Sequence, residues 1–278
     1  MGQHGRPMSG GSKRIVARRR QELIAEHVQR HGSARVSDLT SELGVSDMTI
    51  RRDLDTLTRE GLVTKVHGGA TLPADSQATS AEPGFMVKST KQIEEKRAIA
   101  VIAAQHVGAS TAIGLTAGTT TFHLAALLDD IDDLMVVTNS VRIFERLLAP
   151  ERGDRTVLLT GGTRTPSDAL VGPLAVQALG ELHLDQVFMG VHGMSERAGF
   201  TTPNLLEAET NKAFIAAAQR LVVVADHAKW NTVGLAGIAP LASADTVITD
   251  DGLPQAARDA LADHIDHLIV SDESWTLT

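Results

Sequence analysis

The stretch GVSDMTIRRDL, residues 44–54, places Arg51 and Arg52 side by side in a chain of formal net charge −8. An arginine held on a helix in the DNA major groove bonds bidentately to guanine O6 and N7, while nearby Ser, Thr and Lys groups hold phosphates and set register. Ser46 stands as an N-cap ahead of the run. Val45 and Ile50 have hydrophobic-staple spacing, and Ile50, Leu54 and Leu57 recur at i, i+4, i+7, so Asp47, Met48, Thr49, Arg51, Arg52 and Asp55 face outward. The candidate DNA contacts are Ser37, Ser46, Met48, Thr49, Arg51 and Arg52, with Lys65 and His67 on the following segment. Alone, an Arg-Arg pair fits a solvated face paired with Asp55. The turn, the staple and the basic surroundings favour duplex contact.

A second group suits a small anion. IGLTAGTTTFHLAALL (113–128) passes from an apolar strand through a Gly-Thr turn into a helix. Gly118 lets the backbone approach a ligand, and the N–H groups and hydroxyls of Thr119, Thr120 and Thr121 suit a phosphate at a helix N-terminus. Asn139 and Ser140 (TNS), Gly161 and Gly162 (TGG), and His192 and Gly193 (GVHGM) follow three more apolar strands. VVVADHAKW ends a fifth with Asp226, His227 and Lys229. Lys229 is the best cationic contact for phosphate, being a point charge on a flexible stem. Singly, these features fit a cap turn, a structural histidine or a solvated loop lysine. Together they fall where strand carboxyl ends gather around a ligand crevice in open α/β sheets. Arg164 and Asp168 are candidates to line or gate it. Asn204 and Glu207 have capping-box-like spacing and read as structural. No metal-ligand pattern occurs: His123 and His183 are isolated, and His264 and His267 lack a third ligand.

Positioning these groups takes two kinds of scaffold. Residues 1–12 read as a flexible tail, and 13–70 as a winged helix-turn-helix of three helices and a small hairpin. Gly32 ends its first helix. VSDLTSELG forms the second, capped by Ser37 and stopped by Gly44. LVTKVHGGA is a strand turning at Gly68-Gly69. Residues 71–90, rich in Pro, Ser, Thr and Ala, read as a linker. Residues 91–278 open with an amphipathic helix over Lys91–Val107. They continue through seven apolar runs: TAIGL, LMVVT, TVLLTGG, QVFMGV, LVVVAD, DTVITD and HLIVS. Helical patterns separate most of these, which implies an α/β domain with a mostly parallel sheet covered on both faces.

Charge divides along the same line. Residues 1–70 hold 12 Lys and Arg against 8 Asp and Glu, and the rest hold 14 against 26. A basic head on an acidic body suits a polyanion partner for the head alone. With 3% aromatics and no tyrosine, base stacking on single strands is disfavoured. The absence of cysteine excludes disulfides, thiolate metal sites and thiol catalysis, and fits a reducing compartment. No signal peptide or spanning apolar run appears, so a cytoplasmic protein without membrane, metal or cofactor partners is expected.

The run VSDLTSELGVSDMTIRRDLDTLTREGLVTKVHGGA resembles the N-terminal domain of the DeoR family of bacterial transcription regulators. AGTTT, VVTNS, LTGG, LVGPLA, GFTTPNLLEAETNKAFI and ADHAKW, in that order, resemble the family's effector-sensing domain. The resemblance covers roughly residues 13–272. It implies a regulator of sugar-metabolism genes, usually a repressor, released from double-stranded operator DNA by a phosphorylated sugar. It also implies a C-terminal fold related to ribose-5-phosphate isomerase. One departure is Thr116, where family members commonly carry an aspartate able to bond sugar hydroxyls. A helix-turn-helix reader of paired half-sites is expected to be a homo-oligomer, dimer or tetramer. The alternative is a sugar-phosphate isomerase-like enzyme fused to a nucleic-acid-binding domain. That chemistry needs a placed carboxylate base, and the remaining acids, Asp168 and Asp226, show no evident acid–base partner. An activator rather than a repressor is a third option.

Overall fold

A computed structural model of the chain describes residues 17–31, 33–66, 68–71, 84–149 and 155–271. The chain divides into two compact units, Met1–Ser76 and Gln77–Thr278.

The first unit contains α1 (Ala17–His31), β1 (Ser33–Arg35), α2 (Val36–Leu43), α3 (Asp47–Arg59), β2 (Thr64–Val66) and β3 (Gly69–Thr71). Ile24, Val28, Leu39, Ile50, Leu54 and Leu57 form its buried core. Ser46 caps α3, its hydroxyl oxygen accepting from the Thr49 N–H at 3.3 Å. Gly44 ends α2 at φ +64°, a left-handed conformation that suits glycine. Two readings are corrected. The cap position of α2 is Arg35, and Ser37 sits inside the helix on an exposed face. The hairpin is part of a three-stranded antiparallel sheet, order β1-β3-β2, because Ser33–Arg35 also pairs with β3. Gly69 passes so close to the Ala34 carbonyl that no Cβ would fit there. Lys13–Val16, Gly32 and His67 lie outside the described residues.

The second unit begins, within the stretch expected as linker, with a short helix α4 (Phe85–Ser89). α5 (Ile93–Gln105), β4 (Ala112–Leu115), α6 (Thr119–Ala125), β5 (Met135–Thr138), α7 (Val141–Leu148) and β6 (Thr156–Leu159) follow. Next come the hairpin β7 (Thr163–Arg164) and β8 (Leu170–Val171), α8 (Pro173–Gly180), β9 (Gln186–Gly190), β10 (Gly193–Ser195) and β11 (Gly199–Thr202). The chain then forms α9 (Leu205–Ala217), β12 (Leu221–Val224), β13 (Ala236–Ala239), β14 (Thr246–Asp250), α10 (Gln255–Ala262) and β15 (His267–Ser271). The seven apolar runs are the seven strands of one parallel sheet, order β15-β14-β12-β9-β4-β5-β6. Strand residues alternate between two cores. Val187, Met189 and Val223 face a cluster containing Leu179 and Phe214. Phe188, Val222 and Val224 face one containing Ile99, Leu124 and Ile143. β10, β11 and β13 form a separate antiparallel sheet beside it.

The order of strands sets the site. From β4 the chain builds one way through β5 and β6. It then crosses to β9 and builds the other way. The direction reverses between β4 and β9, and ligands bind beyond the carboxyl ends of strands at such a reversal.

Candidate functional site

In the first unit, α3 presents Met48, Arg51 and Arg52 to solvent, Met48 at 74% exposure. Among the described residues neither arginine side chain has an ion-pair or hydrogen-bond partner, so the expected alternative of Arg–Asp55 pairs is absent from the described residues. Asp55 is instead held by Lys65 of β2 at 2.5 Å. Asp53 points inward and accepts from Arg20 Nε at 2.5 Å and Gln21 Nε2 at 2.9 Å. Asp53 is thus turned away from the face where the arginines stand, while Asp47 and Asp55 stay exposed, engaged by Thr40 and Lys65. The Thr49 hydroxyl shares a 2.9 Å hydrogen bond with Ser46, and Ser37 donates to its neighbour Asp38 at 3.0 Å. The result is one exposed helix face carrying two unengaged guanidinium groups, with cap and wing residues at its margins.

In the second unit, a cavity of about 280 Å3 opens at the carboxyl ends of β4, β5, β9 and β12. That is near the low end of the ~300–1,000 Å3 usual for small-molecule sites. Of the residues expected to contact an effector, Gly118, Thr119, Thr120, Asn139, His192 and Lys229 line it. The turn can approach its floor because Gly118 and Gly190 face each other: a Cβ on Gly190 would lie 3.9 Å from the Gly118 Cα.

The other five expected residues do not line it, and each has a structural task. The fully buried Thr121 hydroxyl donates to the Thr116 carbonyl at 2.8 Å. Ser140 caps α7, accepting from Ile143 N–H at 3.3 Å. Gly161 and Gly162 hold positive φ ahead of the β7–β8 hairpin. Gly193 packs against the Thr232 backbone with no space for a side chain. Asn139 lines the cavity but also braces it, accepting from the Ala117 N–H at 2.8 Å and donating to the Leu170 carbonyl at 3.1 Å. Arg164 and Asp168 stand outside the wall. Asp168 binds Arg164 and Arg142, and Arg142 in turn lies 4.5 Å over the Phe85 ring. Thr116 is buried and ties two strands together, its hydroxyl accepting from the Gly190 N–H at 3.2 Å.

Sequence reasoning missed much of the wall. Phe85, Lys88, Lys91, Gln92 and Lys96 line it from α4, the α4–α5 joint and α5. Phe85 is held edge-on against Phe122 at 5.6 Å between centroids. The buried Lys96 ammonium donates to the carbonyls of Lys88 (3.0 Å) and Lys91, and lies 3.8 Å from an Asp226 oxygen. Lys229 lies 3.9 Å from the same oxygen, and its ammonium makes no hydrogen bond within the described residues. Burial pushes the pKa of both lysines down. Asp226 opposes the shift in each, and neighbouring lysines reinforce it. His123, behind the turn, is lowered by burial and then by Arg97 and Lys96. Glu207 also lines the cavity. It accepts from the hydroxyls of Ser167 (2.5 Å), Thr202 (2.9 Å) and Thr165 (3.3 Å), while Asn204 caps α9. The clue to Lys96 was available: a lysine at the apolar spacing of an amphipathic helix signals a charge with an interior partner.

A helix-turn-helix unit with free arginines and an α/β unit with a cationic cavity define a DNA-binding transcription regulator with a sensor domain. The chain belongs to the DeoR family. The model of the DeoR-like helix-turn-helix domain matches residues 20–76, and that of the DeoR C terminal sensor domain matches residues 91–251. Over 243 residues the chain is 34% identical to the HTH-type transcriptional regulator GlpR of Haloferax volcanii, covering 87% of this chain and 93% of the relative. It is 29% identical over 242 residues to the glycerol-3-phosphate regulon repressor of Escherichia coli, covering 87% and 94%. Ribose 5 phosphate isomerase A from Neisseria gonorrhoeae aligns with 51% of this chain and 56% of its own, at 19% identity and a TM-score of 0.37. No helix among the described residues is long and apolar enough to cross a membrane.

Proposed function

We propose that the chain represses genes of sugar or polyol metabolism by binding operator DNA through α3, and that a phosphorylated sugar in the sensor cavity releases it. Ser46, Thr49, Lys65 and the helix N-terminus contact phosphates; Arg51 and Arg52 read bases from the major groove. His67, outside the described residues, completes the wing contact, and Ser37 and Met48 lie at the margins. In the cavity, the phosphate sits against Gly118, Thr119 and Thr120 and near Lys229, with His192 beside it. The observation that carries this reading is the half-buried Lys229 ammonium, which makes no hydrogen bond among the described residues and faces a cavity that Lys88, Lys91 and Lys96 also line. Such a site favours a compact dianion. The similarity to a glycerol-3-phosphate regulon repressor agrees with that chemistry. Paired half-sites call for a homo-oligomer, acting in the cytoplasm where operators are.

The test is a thermal-shift screen of phosphorylated sugars and polyols, with operator binding measured on the same panel. A ligand at about 100 times its Kd adds roughly 2.7 kcal/mol to stability, and the same compound weakens the promoter complex. If no phosphorylated compound shifts the melting curve or the promoter affinity, the reading fails. Turnover of a bound sugar phosphate would instead establish the enzyme alternative.

A further inference from the structure

α4 is the first described element after the division between the two units at Ser76 and Gln77, so a signal carried along the chain from the sensor to the DNA-binding unit leaves through it. Five residues are too few to hold a helix by themselves, and its place is set by what touches it. Phe85, buried, meets the Phe122 ring of α6, the helix that begins at the Gly-Thr turn. Its N–H donates at 3.4 Å to the Pro166 carbonyl, beside the Ser167 that serves Glu207. Arg142 of α7 lays its guanidinium 4.5 Å over the same ring. Arg142 is anchored in turn by Asp168, a buried aspartate held at φ +63° between β7 and β8. From α5, Lys96 donates to the Lys88 carbonyl in α4 and to the Lys91 carbonyl just beyond it. Gln92, next in the chain, stands at φ +48°, where a side chain is disfavoured. Four elements around the cavity thus converge on α4 and its joint to α5. Phe85, Lys88, Lys91 and Gln92 line the cavity themselves, whereas Arg142 and Asp168 stand outside its wall.

We propose that α4 is the segment through which the sensor reports to the DNA-binding unit, and that the hold of Arg142 on Phe85 sets the strength of that coupling. The proposal rests on the effector reading above and adds the route by which occupancy reaches the operator. A ligand in the cavity touches the inner side of α4, so its binding energy depends on where α4 stands. Such a differential contact is what shifts an equilibrium between two arrangements. Arg142, anchored on Asp168, grips α4 from the other side and biases the same equilibrium without touching the ligand. A brace of purely structural purpose would tie the same groups together, but its loss would lower the melting temperature and leave the response to effector intact.

The experiment uses the full-length chain and a DNA duplex selected by it from a random library. The effector probes are glycerol 3-phosphate, ribose 5-phosphate and glucitol 6-phosphate. Ester affinity is measured by calorimetry, and duplex affinity with and without saturating ester; the ratio of the two duplex affinities is the coupling. Arg142→Met keeps the stem over the ring and removes the charge. It should bind the ester within about twofold of wild type while the coupling falls by about twofold to thirtyfold, the range seen for residues that modulate coupling without touching a ligand. Arg142→Lys, which restores a cation, should recover part of the loss. Arg164→Met, which also leaves Asp168 but never touches Phe85, should couple as the wild type does. Phe85→Leu should lose coupling as Arg142→Met does, and it decides the matter if Arg142→Met does not fold. Full coupling in Arg142→Met and Phe85→Leu overturns the proposal. So does an ester affinity that falls as far as the coupling in Arg142→Met, which would make Arg142 a shaper of the cavity, or an equal loss in Arg164→Met. In each of those failures the wild type still binds an ester and releases DNA. A wild type that binds no ester sinks the effector reading itself, and the proposal with it.

Discussion

Asp53 in the DNA-binding unit and Asp226 in the sensor unit are buried to nearly the same degree, at 3% and 1% exposure. Asp53 accepts from Arg20 and Gln21, tying α1 to α3. Among the described residues Asp226 accepts no hydrogen bond, and its nearest cations, Lys96 and Lys229, stand at 3.8 and 3.9 Å. Cations show the reverse pattern. Arg51 and Arg52 extend into solvent from the first unit, whereas Lys96 and Lys229 of the second are drawn into a cavity wall. The contrast follows from the sizes of the two proposed partners. A duplex is too large to enclose, so its contacts stay hydrated and the protein's own charges are settled internally. A metabolite can be enclosed, so the protein leaves its interior charges unsettled for the ligand to complete.

The largest expected effect breaks that contrast directly. Asp53→Ala removes the buried carboxylate that accepts from Arg20 and Gln21 and should destabilise the first unit by about 3–5 kcal/mol. Asp226→Asn takes the counter-charge from Lys96 and Lys229, but Lys96 keeps its hydrogen bonds to the Lys88 and Lys91 carbonyls, so the loss of ligand-free stability should be smaller than for Asp53→Ala. Urea unfolding can separate the two, since both tryptophans, Trp230 and Trp275, belong to the second unit. Equal losses in both variants would erase the distinction.

Next in size, Arg51→Ala should cost about 1–3 kcal/mol at one base pair and relax preference there. Lys65→Ala should weaken all sequences alike and lower the salt slope by about one. A binding-site selection experiment that found the same consensus for Arg51→Ala and wild type would remove α3 from the groove.

The third effect sharpens the contrast through pH. Burial, opposed by Asp226, holds the pKa of Lys229 below its ordinary value of 10.5. Its charge is therefore lost earlier as pH rises, and phosphate affinity should decline at a pH below that value. Arginines stay protonated throughout, so specific DNA contacts by Arg51 and Arg52 should persist over the same range. Parallel decline of both affinities would mean that one kind of cation serves both sites. The smallest effect is Ser46→Ala, which removes the α3 cap and should cost about 1 kcal/mol of stability, read as a lower melting temperature of the first unit.

Both the alternating strands and the helix-turn-helix were legible because each rests on local periodicity. Ile50, Leu54 and Leu57 announce a helix face, and LVVVAD announces a buried strand whatever lies beside it. The glycine-threonine turn was legible for the same reason. What sequence concealed was the closing of the wall. α4 is five residues long in a Pro- and Ser-rich stretch, too short for a period to show. Lys96 and Asp226 are 130 positions apart and meet only because β12 lies two strands from β4, with α5 packed across the same face. Ser140 and Thr121 were expected at the ligand because their type and position fit. Their hydroxyls are instead consumed by the backbone that shapes the site.

The facing glycines at the cavity floor are unequal in what they tolerate. A methyl on Gly118 would press on the Thr121 hydroxyl at 2.9 Å, while one on Gly190 would meet only ordinary contact. Volume at this spot is therefore adjustable from the end of β9 and fixed from the turn before α6. A lineage in need of a narrower sensor has a single conservative step open to it, one that shortens the ligand it admits while leaving the sheet beneath undisturbed.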